Sequence, residues 1–260
     1  MVNNLKQFLK KDVKNTLIKK DESFSFNCAK ECWGTCCIKE NVGHLQLSIY
    51  DVYRLLKKRL DLNILDFIEL KIEEKSNLPR AYIKWKENGH CPNLEEDGSC
   101  KVYAERPYTC AIFPLSSEFR IDDELNTVTI DYVLRENLCY GFLKDAKPLS
   151  RNILEFLDLQ GLEKIEELEM LEVKKRDEWQ KKYDLKSFTD KQLHILGQAL
   201  YCLQDKVLNK NSYFMDRYSE ILKIPKRKKR VENFSAEELT TLALEEFAPR
   251  FLEKFHKEKK

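Results

Sequence analysis

Eight of the nine cysteines in this 260-residue chain lie between Cys28 and Cys139. Cys28, Cys32, Cys36 and Cys37 form a first group; Cys91, Cys100 and Cys110 form a second; Cys139 follows alone. Thiols gathered in this way serve as metal ligands or redox groups far more often than as packing residues. If they converge, segments far apart in the chain must fold onto one region. Cys202, the ninth, falls on the apolar face of a helical pattern and reads as a buried structural thiol.

Composition narrows the setting. At 42% hydrophobic residues the chain can bury a core without disulfides, and a formal net charge of +2 gives no general field toward nucleic acid or anionic membrane. Lys6, Lys10, Lys11, Lys14, Lys19 and Lys20 interrupt the first twenty residues, leaving no apolar stretch of signal-peptide type. No run approaches the ~20 apolar residues of a transmembrane helix. The expectation is a cytoplasmic protein with reduced thiols, which favours metal over disulfides. A protein substrate is a more natural partner than nucleic acid.

The expected class is mainly α (α+β). Residues 1–22 read as an N-terminal amphipathic helix, with Leu5, Phe8, Leu9, Val13, Leu17 and Ile18 at helical spacing. Residues 23–147 read as a cysteine-cluster metal-binding domain with short strands and hairpins, and 148–260 as a helical region packed on it. Ser48 is a natural N-cap, with Asp51 as an acidic variant of the capping box, and Ile64 to Ile72 reads as a further helix. Ala81 to Trp85 alternates as a strand, Asp97-Gly98 marks a tight turn, and residues 119–121 and 128–132 read as a hairpin. Helices are expected over 151–184, 187–209, 212–223 and 235–257, the last capped by Ser235 and Glu238. The basic run Lys226 to Arg230 reads as a solvated linker.

Cys28, Cys32 and Cys36 are spaced by four, so one helical face would carry all three. Gly34 and Thr35 weaken regular helix, and a helical turn breaking into a loop fits better. Cys37 points away from Cys36 in either helix or strand. The two therefore serve different partners, or one of them is not a ligand. A hairpin would bring Cys91 and Cys100 together, and the turn at Arg106-Pro107 returns the chain with Cys110. Four thiolates satisfy either zinc or an iron–sulfur cluster, and the loop-borne pattern favours iron–sulfur. Lys30, Lys39, Lys101 and Arg106 supply cations near such an anionic centre, with Arg106 the best placed. His44 and His90 read as ordinary histidines rather than ligands.

Several motifs recur in a fixed order: Phe26-Asn27-Cys28 through Cys36-Cys37; Leu47-Ser48-Ile49-Tyr50-Asp51-Val52-Tyr53-Arg54-Leu55; Cys91 and Cys100; Val102-Tyr103-Ala104-Glu105-Arg106-Pro107-Tyr108-Thr109-Cys110-Ala111-Ile112-Phe113-Pro114; and Cys139. Over residues 24–142 this resembles the CxxCxxCC family of zinc- or iron-chelating proteins, also called YkgJ-like cysteine-cluster proteins. The chain departs from the family pattern at Tyr140, where proline is usual, and at Ala111, where arginine is frequent. The resemblance implies that Cys28, Cys32, Cys36, Cys37, Cys91, Cys100, Cys110 and Cys139 bind metal, supported by Arg106, Asp51 and Arg54. The cofactor it implies is an iron–sulfur cluster, [4Fe–4S] in type, with zinc as the alternative. Distant relatives, the flagellin lysine N-methylases, extend the expectation to S-adenosylmethionine and modification of a protein lysine. No Gly-rich methyltransferase motif follows a strand here.

Overall fold

The computed structural model describes residues 14–28, 34–58, 64–136, 139–143, 146–201 and 234–258. Cys32 and Cys202, the 212–223 helix and the Lys226 to Arg230 run lie outside the described residues. The strands are β1 Lys14–Ile18, β2 Ser23–Phe26, β3 Gln46–Leu47, β4 Ile68–Ile72, β5 Pro79–Ile83, β6 Leu115–Asp122, β7 Thr127–Glu136 and β8 Leu149–Asn152. They form small antiparallel sheets of order β1-β7-β6, β2-β8 and β3-β5-β4, set among helices, so the protein is α+β. None of the described helices is long and apolar enough to cross a membrane. The chain divides into two compact units: Met1–Gly43 with Trp85–Met170, and His44–Lys84 with Leu171–Lys260.

In the first unit, β6 and β7 form the hairpin foreseen in the sequence, closed where Asp122 Oδ1 accepts from the Glu124 and Leu125 N–H groups. Residues 14–18 are not helical. They add β1 to the free edge of β7, with Lys14 opposite Glu136 and Ile18 opposite Tyr132. Leu17 and Ile18 are neighbours on a helical stripe but point to opposite faces of a strand. Leu17 is in fact exposed and Ile18 buried, and the ladder of β7 supplies the hydrogen bonds. Strand β2 alternates in the same way, with Phe24 and Phe26 buried between exposed serines. Their rings meet Phe156 edge-on, at centroid distances of 5.4 and 6.4 Å.

The continuous helix expected over 151–184 is interrupted. Residues 149–152 form β8 against β2, after which Asn152 and Glu155 make a full capping box for the Ile153–Gln160 helix. Gly161, at φ 64°, ends that helix, and a second runs over Glu163–Lys182. A glycine in the left-handed region is the usual helix stop.

In the second unit, Ser48 Oγ accepts from the Asp51 N–H at 3.0 Å, and Asp51 Oδ2 accepts from the Ser48 N–H at 3.3 Å. This reciprocal cap opens the Ile49–Lys58 helix where the sequence placed it. The expected helix over 64–72 stops early: Ile64–Phe67 is helical, but Ile68–Ile72 is β4, paired with β5. Ile68, Leu70 and Ile72 alternate, and a short apolar run fits either period until a partner strand decides. The Asp190–Tyr201 helix lies on that sheet, where a Cβ on Gly197 would come within 3.0 Å of Pro79 Cβ. Ser235 and Glu238 form the anticipated capping box, and the helix continues through a wider π-type turn at Leu242–Phe247 into Ala248–Lys257. A buried polar knot of Arg176, Glu172, Arg80 and Tyr201 joins the Glu163–Lys182 helix to β5 and to the first turn of Ile49–Lys58.

Candidate metal centre

The thiols sit on turns that the strands and helices of the first unit hold in place. Gly34 adopts φ 82°, a conformation open to glycine at little cost, and starts the 3₁₀ turn Thr35–Cys37. A Cβ there would lie 3.1 Å from Leu94 Cδ1, so this turn is pressed against the next cysteine loop. The Cys91 N–H donates to the Cys37 carbonyl at 2.8 Å, and Ile38 bridges His90. Cys91 and the vicinal pair are thereby tied through backbone. Leu94 bridges Cys100, and the Gly98 N–H donates to Glu95 O at 3.1 Å, which builds the tight turn expected at Asp97-Gly98. Cys110 lies in the Tyr108–Ala111 turn, its N–H bonded to Pro107 O at 2.9 Å.

A second convergence involves the outlying cysteines. The Asn27 N–H, one residue before Cys28, donates to Gly141 O at 3.1 Å. The Gly141 N–H in turn donates to Cys139 Sγ at 3.3 Å. Glycine is required at 141, because a Cβ would stand 2.4 Å from Asn27 O and from the Phe26 ring. Cys139 is buried and Cys28 exposed.

The seven described cysteines are not joined to one another in disulfides. Five of them form one electrostatic group. The Cys37 thiol donates to Cys36 and, with Arg106 adding to the effect, holds the Cys36 thiol down to about 7 although burial opposes it. The same hydrogen bond drives Cys37 strongly upward, reinforced by burial and by Cys91 and Cys110. Burial pushes Cys91 up to about 11, with Cys100 and Cys36 adding to it, and burial also raises Cys100. Five soft donors within each other's field suit zinc or iron in kind. Among the described residues, no three Cys, His, Asp or Glu side chains already close on a common point. The thiols approach one another without forming a finished cage.

The Arg106 guanidinium lies 4.3 Å from the Tyr103 ring centroid, is hydrogen-bonded to Gln160, and draws Cys36 and Cys100 toward thiolate. Lys101 instead pairs with Glu95 at the surface, 3.1 Å away. Asp51 and Arg54 belong to the second unit. There Asp51 caps its helix and Arg54 lies 5.5 Å from the Tyr50 ring centroid. Sequence reasoning did not find Asn27, Gly141 or the carboxylate of Glu166, which accepts from the Tyr108 hydroxyl at 2.8 Å and from Tyr132 at 2.9 Å. Only their closeness in sequence to Cys28 and Cys139 marks the first pair. Glu166 is one of many glutamates on an acidic helix, and its spacing carries no signal.

The ordering of the thiols has a measurable consequence. With Cys36 held down to about 7 and Cys91 pushed up to about 11, far more of Cys36 than of Cys91 is thiolate, the nucleophilic form, at pH 7. In metal-free protein given a brief iodoacetamide pulse, peptide mapping should find Cys36 alkylated well ahead of Cys91. Equal labelling of the two at pH 7 would contradict the described environments.

Residues 27–136 match the family model CxxCxxCC, described as a putative zinc- or iron-chelating domain. No curated protein and no solved structure matches the chain.

Proposed function

We propose that the chelating domain at residues 27–136 holds an iron–sulfur cluster, ligated from among Cys36, Cys37, Cys91, Cys100 and Cys110. The carrying observation is the backbone tie between their loops: the Cys91 N–H donates to the Cys37 carbonyl at 2.8 Å and Leu94 bridges Cys100, while the Cys37 thiol holds Cys36 low. Metal binding of this kind needs deprotonated sulfur. A thiol hydrogen-bonded to a ligand sulfur, as Cys37 is to Cys36, is one of the protein's levers on a cluster. When bound, the cluster supplies one-electron chemistry. On this reading the protein is a redox enzyme or an S-adenosylmethionine-linked enzyme acting on a protein lysine. This chain's residues would fix the cluster and, through Arg106, counter its charge.

The family description also names zinc, and a zinc-stabilised binding module or a metal-delivery protein would use the same thiols. Anaerobic purification followed by the visible spectrum and an iron and zinc assay separates the two. The cluster reading predicts a brown protein with broad visible absorption and iron in excess of zinc. A colourless protein with stoichiometric zinc would overturn it and leave the zinc module standing.

A further inference from the structure

The Cys110 turn is held by a buried carboxylate that the ligand set does not use. Tyr108, two residues before Cys110, is 2% exposed and donates its hydroxyl to Glu166 Oε1 at 2.8 Å. Tyr132 on β7 is 1% exposed and donates to both Glu166 oxygens at 2.9 Å. Glu166 itself is 6% exposed, in the first turn of the Glu163–Lys182 helix. One carboxylate thus joins three elements: the Tyr108–Ala111 turn, the β6–β7 hairpin and the long helix. The turn and hairpin are also continuous in sequence, and the Arg135 N–H donates to Pro114 O at 3.1 Å where they meet.

Burying a carboxylate costs free energy that an apolar residue of similar volume would not incur, so stability alone is a weak reason to place one here. What the carboxylate adds is direction. It accepts hydrogen bonds at defined angles, and two hydroxyls fix its plane. The Tyr108 ring is thereby held at its far end, which ties the helical turn bearing Cys110 to the hairpin and the long helix. Residues that orient metal ligands in this way are worth roughly 10- to 100-fold in metal affinity.

From this geometry we infer that Glu166 is a positioning residue for the metal centre, setting the Cys110 sulfur through Tyr108 while Tyr132 holds the carboxylate. The inference rests on the metal reading of the preceding subsection.

Zinc titration of the metal-free full-length chain against a competing chelator tests it, alongside the melting temperature of the metal-free protein and alkylation rates at each cysteine. Tyr108→Phe, which keeps the ring and its packing, should weaken zinc binding roughly 10-fold or more. It should also speed alkylation of Cys110 relative to Cys91. Glu166→Ala should do the same, and Glu166→Gln, which retains a carbonyl acceptor, should recover most of the affinity. A merely structural role would lower the metal-free melting temperature and leave affinity and the Cys110-to-Cys91 ratio unchanged. That result in Tyr108→Phe would overturn the inference. Failure of the wild-type chain to bind zinc or iron at all would instead remove the metal reading beneath it.

Discussion

Replacing Arg176 by leucine should be among the most damaging single changes in the second unit, costing about 3–5 kcal/mol. Arg176 is 2% exposed, and all three guanidinium nitrogens are engaged. Nε donates to Glu172 at 2.7 Å, Nη1 to the Pro79 carbonyl at 3.0 Å, and Nη2 to the Tyr201 hydroxyl at 2.7 Å. Glu172 is equally buried and accepts in addition from the Ile49 N–H at 2.8 Å and from Arg80 at 3.1 Å. Leucine would fill part of the space but leave a buried carboxylate short of charge, with a carbonyl and a hydroxyl short of partners. Arg80 limits the loss without replacing the bonds to Pro79 and Tyr201. For a chain of this size each kcal/mol corresponds to about 2–4 °C, so the melting temperature should fall by roughly 10 °C. A shift of under ~2 °C in thermal melts followed by circular dichroism would contradict this account of the polar core.

The sequence made some parts of this architecture legible and hid others for identifiable reasons. Caps were readable because they are local: Ser48 with Asp51 and Ser235 with Glu238 satisfy backbone groups within one turn. The β6–β7 hairpin was readable because alternation and turn residues agree across it. Strands β1 and β4 were not, because each is a short apolar run whose period is settled by a distant partner, β7 or β5. At the candidate centre, residue types and order singled out the thiols, and the bridge between Leu94 and Cys100 followed from the Asp97-Gly98 turn. The approach of the Cys28 segment to the Cys139 segment depends on Gly141 yielding room for Asn27 and Phe26, a tertiary fact with no local signature. The tie from Glu166 to Tyr108 spans 58 residues and is equally silent.

The second large effect concerns the centre itself. Cys91 is buried and anchored through its N–H to the Cys37 carbonyl, so serine in its place preserves shape and backbone bonding. What changes is the donor: a hydroxyl is a far poorer ligand than a thiolate for zinc or iron–sulfur. Because a bound metal stabilises only the folded state, losing it removes about 4 kcal/mol when metal stands at 1,000 times its dissociation constant. Metal-loaded wild type and Cys91→Ser should therefore differ widely in melting temperature, and the metal-free forms should differ little. The most direct measurement is zinc plus iron per chain, by elemental analysis, in wild type and in Cys91→Ser purified side by side. The account predicts stoichiometric metal in the wild type and near-complete loss in the variant. A metal-free wild type, or a variant that keeps the full complement, would contradict it.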